Sequence, residues 1–165
     1  ISGATEETFA CVSTQLTAAA AAGATMLVMP ELFLPGYNQP ALHDRLSQPR
    51  GGDWETRLAG MARAAGCGLT IGWAEREGET VYNAATAFGA DGGVLGHYRK
   101  IQLFGPMEQA SFAPGDAFCT FELGGVLIEA LAAELAGRAA MPGPPGGASP
   151  RPREPTVPPV LPQSF

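Results

Sequence analysis

Two ionisable residues, one acid and one amine, stand beside strongly apolar segments of this chain. Glu31 follows the run Met26-Leu-Val-Met-Pro30, and Lys100 ends the segment His97-Tyr98-Arg99-Lys100. A buried acid and a buried amine are costly unless they are paired, so such a pair is typical of a chemically active site. A second acid, Glu108, follows the lysine. We expect the carboxyl group of Glu31 and the amino group of Lys100, far apart along the chain, to meet in one water-poor crevice.

Each of these residues also has a plainer interpretation. Glu31 stands at the start of a loop, where solvated carboxylates are common, and Lys100 could end an exposed edge strand. Glu108 by itself would be an ordinary loop acid. The apolar Leu32-Phe33-Leu34 and the apolar residues after Lys100 favour burial, because they should draw both segments toward the core. Ligands of open α/β sheets bind beyond the carboxyl ends of strands, which suits Glu31.

The elements that must position these residues alternate between helical and extended periodicity. Apolar residues recur at helical spacing over 5–22 and 54–65, while residues 128–140 have helical composition. Strands are predicted at 24–29, 67–74, 81–88, 93–99 and 118–123. The uninterrupted apolar run at 24–29 is typical of a strand covered on both faces. This order predicts a layered α/β fold with a mixed sheet.

Composition limits the classes of protein to which the chain can belong. At 165 residues and 45% hydrophobic content, it is long enough for one domain with its own core. The formal charge of −6 and the absence of a basic run argue against nucleic acid and anionic membranes as partners. No run approaches the roughly 18 apolar residues of a membrane span. We therefore expect a soluble, cytoplasmic protein.

Cysteine and histidine usage indicates neither a metal site nor a disulfide framework. The three cysteines are widely scattered, and the two histidines, His43 and His97, have no ligand spacing with them. We expect no metal and no cofactor. Residues 141–165 are rich in proline and lack apolar periodicity, which predicts a disordered or polyproline-like tail after a domain at 1–140. A polyproline ligand for an aromatic groove is the less favoured interpretation of this tail.

Taken together, the segments resemble the nitrilase, or carbon–nitrogen hydrolase, superfamily over roughly residues 5–126. The resemblance rests on Pro30-Glu31-Leu32-Phe33, on Tyr98-Arg99-Lys100 and on Phe112-x-Pro114-Gly115-Asp116. The segments Gly72-Trp73-Ala74-Glu75 and Tyr82-Asn83-Ala84 are similar to that family in their order along the chain.

This resemblance implies an α-β-β-α sandwich, here a partial one, and an enzyme that hydrolyses small amides or nitriles by a Glu-Lys-Cys mechanism. Glu31 would match the family's general base, Lys100 its lysine, and Glu108 its second, structural or positioning glutamate. Aliphatic amidases are the most similar group in character. The family often associates through its outer helices, and a partial sandwich should expose apolar sheet surface and strand edges, so homo-oligomers or self-association are expected.

The family's cysteine motif has no match in this sequence. The region where it should follow Lys100 reads Phe121-Glu-Leu-Gly-Gly-Val-Leu-Ile128, without cysteine. Cys119 lies in a predicted strand and is interpreted as a buried, inert thiol, whereas Cys11 and Cys67 do not follow the family's order. The chain therefore resembles part of a longer hydrolase, and a frame change or a deletion in its parent sequence would each explain the difference.

Three hypotheses follow for the chain itself. The first is a carbon–nitrogen hydrolase fold with little or no thiol-dependent activity. The second is a binding module without catalysis, in which Glu31, Lys100 and Glu108 form a charge network around a small molecule or a partner surface. The third is a plain α/β domain in which the same residues lie on the surface.

Overall fold

The computed structural model describes residues 5–129, arranged as four helices and six strands. The helices are α1 Thr5–Ala21, α2 Pro40–Leu46, α3 Asp53–Ala65 and α4 Gly105–Ser111. The strands are β1 Met26–Val28, β2 Gly68–Glu77, β3 Thr80–Phe88, β4 Val94–Arg99, β5 Thr120–Leu123 and β6 Val126–Glu129. The predictions for the tail at 141–165, and for all but the start of the segment 128–140, fall outside the described residues.

A mixed four-stranded sheet organises the molecule, as the sequence predicts. Its strand order is β1-β2-β3-β4, with β1 parallel to β2 and the other neighbours antiparallel. Short connections join β2, β3 and β4, which explains their antiparallel pairing. The register between β3 and β4 shifts at an irregularity between Ala87 and Phe88. β5 and β6 form a separate antiparallel hairpin. Because β3 is antiparallel to both of its neighbours, β2 and β4 run in the same direction, which is also the direction of β1.

One face of the sheet carries the main hydrophobic core. Residues of β2 and β3 that alternate toward this face, among them Leu69, Ile71 and Phe88, are fully buried. They pack against the apolar stripes of α1 and α3, whose members include Phe9, Val12, Leu16, Leu58 and Ala62. The predicted helices at 5–22 and 54–65 are confirmed to within a residue, because their 3.6-residue stripes match this face.

Two predictions about elements are corrected by the structure. β1 is not covered on both faces, since Val28 is 68% exposed and neither Met26 nor Leu27 is fully buried. Ile128 lies in β6 rather than in a helix, because the turn at Gly124 and Gly125 returns the chain onto β5. The short helices α2 and α4 were not predicted. Each has only 7 residues, too few for a periodic apolar pattern to emerge.

Within residues 5–129, no helix combines the length and the apolarity needed to cross a bilayer.

Candidate active site

The sheet topology brings the predicted site residues to one end of the molecule. Glu31 lies just after β1, and Lys100 directly after β4. These two strands run in the same direction, so their carboxyl ends lie at the same end of the sheet. Lys100 continues the ladder one residue beyond β4, through a 2.8 Å bond from its N–H to the carbonyl of Asn83. Glu108 enters from α4.

All three predicted residues meet at the ammonium group of Lys100. Its Nζ donates to Glu31 Oε1 at 2.7 Å and to Glu108 Oε1 at 3.0 Å. The other oxygen of Glu108, Oε2, lies 2.8 Å from the same nitrogen. The expected convergence of Glu31 and Lys100 is therefore confirmed, and the interpretation of the two as separate surface charges is wrong. Their catalytic roles remain predictions.

The structure adds two polar side chains to this cluster that the sequence reasoning did not single out. Asn83 Nδ2 donates to Glu31 Oε1 at 2.7 Å, and the hydroxyl of Tyr37 donates to Glu108 Oε1 at 2.7 Å. Asn83 stands opposite Lys100 on β3, so correct strand pairing would have identified it. Tyr37 follows the Pro35-Gly36 turn, and only the three-dimensional path of that turn shows where its hydroxyl lies.

Solvent access differs among the three charged groups. The side chain of Glu108 is 0% exposed and that of Lys100 is 6% exposed, whereas that of Glu31 is 27% exposed. A buried ammonium with two carboxylate partners meets the requirement that charges inside a protein be paired. Glu31 is the member that a dissolved molecule can reach, which suits a group that exchanges a proton with a ligand.

Opposing influences act on the pKa of Glu108. Burial raises it, but hydrogen bonds from Lys100, from the Phe104 N–H (2.7 Å to Oε2) and from Tyr37 outweigh that effect. The pKa of this carboxyl therefore lies below its usual value, and the group is ionised at neutral pH. An ionised Glu108 pairs with the Lys100 ammonium and fixes its position.

The negative charge of Glu108 also affects the pKa of Tyr37. Its hydrogen bond to Glu108, burial and the charges of Glu108 and Glu31 raise its pKa from the usual 10.0 to about 12. Ionising the phenol would remove the donated proton and place a second negative charge beside the carboxylate. Tyr37 is thus a hydrogen-bond donor at neutral pH.

Two glycines allow the backbone to approach closely at the site. A Cβ at Gly72 of β2 would lie 2.5 Å from the backbone nitrogen of Leu32 and 2.8 Å from Cα of Glu31. Leu32 itself has φ +46°, a strained conformation for a residue other than glycine, while its side chain is fully buried. At Gly115, a Cβ would overlap the carbonyl group of Arg99. Gly72 and Gly115 therefore hold the backbone beside Glu31 and Lys100.

A second polar network anchors β4 on the opposite face of the sheet. The buried Glu75 accepts hydrogen bonds from His97 Nε2 at 2.7 Å and from the guanidinium of Arg99. Thr86 Oγ1 lies 2.9 Å from His97 Nδ1 and accepts a 2.9 Å hydrogen bond from Trp73 Nε1. Because strand residues alternate between faces, these contacts fix β4 while Lys100 is directed to the other side.

None of the three cysteines lies at the charged cluster. Cys67 is buried, with Sγ 3.4 Å from the carbonyl of Ala24, and Cys11 is in α1. Cys119 precedes β5 and packs next to Gly96, about 13 Å along β4 from Lys100 at ~3.3 Å per residue. The prediction of a buried Cys119 is wrong, because this thiol lies just outside β5 and is only partly covered.

The described residues form no metal site, and the cavity among them lies apart from the charged cluster. No group of three or more histidine, cysteine, aspartate or glutamate side chains within residues 5–129 is arranged to hold a metal ion. An open cavity of about 330 Å³ lies between α2, α4 and the β2–β3 turn, with Asp44, Glu79 and Phe112 in its lining. Glu31, Lys100 and Glu108 are not part of that lining.

Comparison with known proteins identifies the class to which this fold and cluster belong. The carbon-nitrogen hydrolase family matches residues 2–135. A nitrilase of Pyrococcus abyssi is 39% identical over 114 residues, which cover 64% of this chain and 43% of that protein. An (R)-stereoselective amidase of a Pseudomonas species is 32% identical over 103 residues, covering 62% of this chain and 37% of the amidase.

The solved structures that resemble this chain include amidases, as do its relatives in sequence. An amidase from Nesterenkonia sp. superposes with a TM-score of 0.69 and 31% identity, over 75% of this chain and 48% of the amidase chain. In another structure of an amidase from Nesterenkonia sp. AN1, acrylamide has added to the active-site cysteine.

The chain belongs to the carbon–nitrogen hydrolase family. The predicted fold class, a partial nitrilase-like sandwich with a mixed sheet, is confirmed. The chain spans less than half the length of these relatives.

Proposed function

We propose that this chain carries the acid–base portion of a carbon–nitrogen hydrolase site for small amides or nitriles, with Glu31, Lys100 and Glu108 as its charged residues. The observation that supports this most directly is the sharing of one buried ammonium by two carboxylates, of which only Glu31 has substantial access to solvent. Membership of the hydrolase family supports the substrate class.

Each residue has a distinct proposed role. Glu31 acts as the general base that accepts a proton from the attacking group. Lys100 supplies positive charge next to the substrate oxygen or nitrogen on which negative charge develops. Glu108 is a positioning residue, because its carboxylate holds Lys100 and is itself held by Tyr37 and the Phe104 N–H. Asn83 orients Glu31.

Amide hydrolysis by a thiol has two steps that these groups would serve. The thiol loses its proton to Glu31 and adds to the carbonyl carbon, after which the C–N bond breaks and the proton leaves with ammonia. Water then loses a proton to Glu31 and attacks the thioester, and Glu31 returns that proton to the departing thiolate, so that the acid and the free thiol are released. No cysteine of residues 5–129 lies at the cluster, so we propose that this chain alone has little or no thiol-dependent turnover.

The test measures ammonia release from small aliphatic amides and nitriles, with and without iodoacetamide. We expect slow release at most, insensitive to alkylation and abolished in Glu31→Gln, because Glu31 can activate water directly. Glu122→Gln, on an exposed position of β5, is the matched control. Rapid turnover that is lost on alkylation and in Cys119→Ala would show that the nucleophile has been misplaced.

A second candidate function is binding of a small amide without turnover, which the distance of Cys119 from Lys100 favours. A ligand that binds the folded state raises its thermal stability. Stabilisation by an amide, lost in Lys100→Met and accompanied by no ammonia, would indicate binding alone. If no small amide or nitrile stabilises the protein or is hydrolysed, both candidates are wrong.

A further inference from the structure

A buried histidine near the charged cluster is not used by the proposed chemistry. His43 lies in α2 and is fully buried, although it is one of only two histidines in the chain. Its Nδ1 is the one buried side-chain nitrogen or oxygen within residues 5–129 that has no hydrogen-bond partner. A buried polar ring with one satisfied and one unsatisfied nitrogen has a cost that an apolar residue would avoid. Its position therefore calls for an explanation.

The satisfied nitrogen of His43 contacts the turn that carries Tyr37. His43 Nε2 lies 2.9 Å from the carbonyl oxygen of Gly36, the residue immediately before Tyr37. A carbonyl can only accept, so Nε2 carries the proton. Nδ1 is then an unprotonated acceptor, because a second proton would create a buried charge whose N–H had no partner. The ring is therefore neutral, with one defined tautomer.

The face of the same ring contacts the end of α4. The rings of His43 and Phe112 have centroids 4.8 Å apart and an interplanar angle of 35°. Phe112 directly follows α4, and its N–H donates to the carbonyl of Glu108 at 2.9 Å. One imidazole thus contacts two chain segments, one that bears Tyr37 and one that bears Glu108.

These two segments must keep their relative positions for the charged cluster to form. Tyr37 donates to Glu108 across 2.7 Å, yet Tyr37 lies in a loop and Glu108 in α4, and no shared strand connects them. Gly36 is also a flexible point, with φ +125°. A movement of that turn by about 1 Å would break the hydrogen bond, since such bonds weaken steeply beyond ~3.2 Å.

We propose that His43 is a positioning residue, which fixes the Gly36–Tyr37 turn against the end of α4 and so keeps the Tyr37 hydroxyl on Glu108. The catalytic significance of His43 rests on the proposed function of the charged cluster. The geometric claim, that His43 sets the Tyr37–Glu108 contact, can be tested without any turnover.

The experiment uses the ionisation of Tyr37 as a measure of that contact. The full chain is labelled with ¹³C at the tyrosine ζ carbon, the Tyr37 resonance is assigned by its loss in Tyr37→Phe, and its titration is followed at alkaline pH. In His43→Leu and His43→Phe, we expect Tyr37 to ionise at lower pH, with a roughly tenfold larger ionised-to-neutral ratio at about pH 11. His43→Phe retains a ring against Phe112, so it separates the hydrogen bond from the packing.

Two further variants make the result specific. A glutamine side chain can place an N–H donor close to the position of Nε2, so His43→Gln should restore the titration of the unaltered protein. Arg45→Gln changes an exposed residue of the same helix and should leave the titration unchanged. An unchanged Tyr37 titration in both His43→Leu and His43→Phe would overturn the proposal, whatever their thermal stability.

A measurement on the unaltered protein covers the case in which both variants fail to fold. Nitrogen-15 spectra of the imidazole rings, assigned by comparison with His97→Gln, should show His43 neutral, protonated at Nε2 and slow to exchange that proton. An Nδ1-protonated ring or rapid exchange would refute the contact with Gly36. Failure of amide hydrolysis would leave these results untouched, because they report geometry rather than chemistry.

Discussion

Two buried carboxylates, Glu75 and Glu108, lie on opposite faces of the same sheet and illustrate different uses of buried charge. Glu75, on β2, has both of its partners on β4, where His97 and Arg99 are spaced to reach it across the intervening β3. Glu108 and its partners come from loops and from the short helix α4. The Glu75 cluster is fixed by the register of the sheet. The Glu108 cluster depends on how several connections fold over the carboxyl ends of the strands.

The two clusters also differ in what else they can bind. Burial raises the pKa of Glu75, but hydrogen bonds from His97 and Arg99 reverse the effect and bring it to about 2. Its oxygens are occupied by these two residues, which indicates a structural anchor. In the other cluster, Lys100 is shared with Glu31, whose carboxylate is partly exposed. A shared cation beside a reachable carboxylate leaves a place for a ligand, which the Glu75 cluster does not offer.

Removing Glu75 should cause the largest loss of stability. Glu75→Ala leaves Arg99 and His97 facing a buried space without their acceptor, and breaking a buried ion pair costs about 3–5 kcal/mol. Denaturant unfolding at neutral pH measures the loss. Glu77→Ala removes a 65%-exposed partner of the same arginine and should cost less than about 1 kcal/mol. Equal losses in the two variants would contradict the distinction between anchor and surface charge.

Removing Lys100 should reduce stability in a manner that depends on pH. Lys100→Met leaves Glu31 and Glu108 without their cation, with an expected loss of about 3 kcal/mol at pH 7. In the unaltered protein, the ionised form of Glu108 stabilises the fold at pH values above the usual pKa of a glutamate, because the pKa of this group is lowered in the folded state. This stabilisation is lost as the pH falls. Without Lys100, that pKa rises because the hydrogen bond and the positive charge of the lysine no longer lower it. Lowering the pH toward 5 should therefore restore part of the difference. A loss that grows as pH falls would contradict this account.

Adding a methyl group at Gly72 should have an intermediate effect on stability and a larger one on the site. Gly72→Ala forces a Cβ against the backbone of Leu32 and Glu31, an overlap that costs about 1–3 kcal/mol. Displacement of Glu31 should also weaken stabilisation by any amide that binds. Gly60→Ala, in α3 where nothing lies within 4 Å of the added methyl, should be neutral or stabilising by up to ~1 kcal/mol. Matching effects would show that the close approach at Gly72 is unimportant.

Removing the Tyr37 hydroxyl should have the smallest effect, of about 1 kcal/mol at neutral pH. Because the folded-state pKa of Tyr37 is about 12 rather than 10.0, its contribution is complete below pH 10 and disappears as pH rises toward 12. The difference in unfolding free energy between the unaltered protein and Tyr37→Phe should therefore narrow across that interval. A constant difference would mean that the phenol is not paired with Glu108.

Local patterns in the sequence were sufficient for the two long helices and for the three charged residues of the cluster. The stripe of Phe9, Val12 and Leu16 predicted α1, because a single apolar face determines a long helix. Glu31 and Lys100 were recognisable from their apolar surroundings. α2 and α4 were missed, since 7 residues give too short a pattern. The exposure of β1 was missed because an apolar run does not show whether both faces of a strand are covered.

The partners of the charged residues required the tertiary structure. Asn83 is an ordinary strand residue until the register places it across from Lys100, and Tyr37 and His43 have roles only through the path of a turn. The sequence by itself determined the periods of the helices and strands and the kinds of charge available. Folding decided which charges meet, because hydrogen bonds between residues distant along the chain depend on strand order, direction and loop path, which no local period encodes.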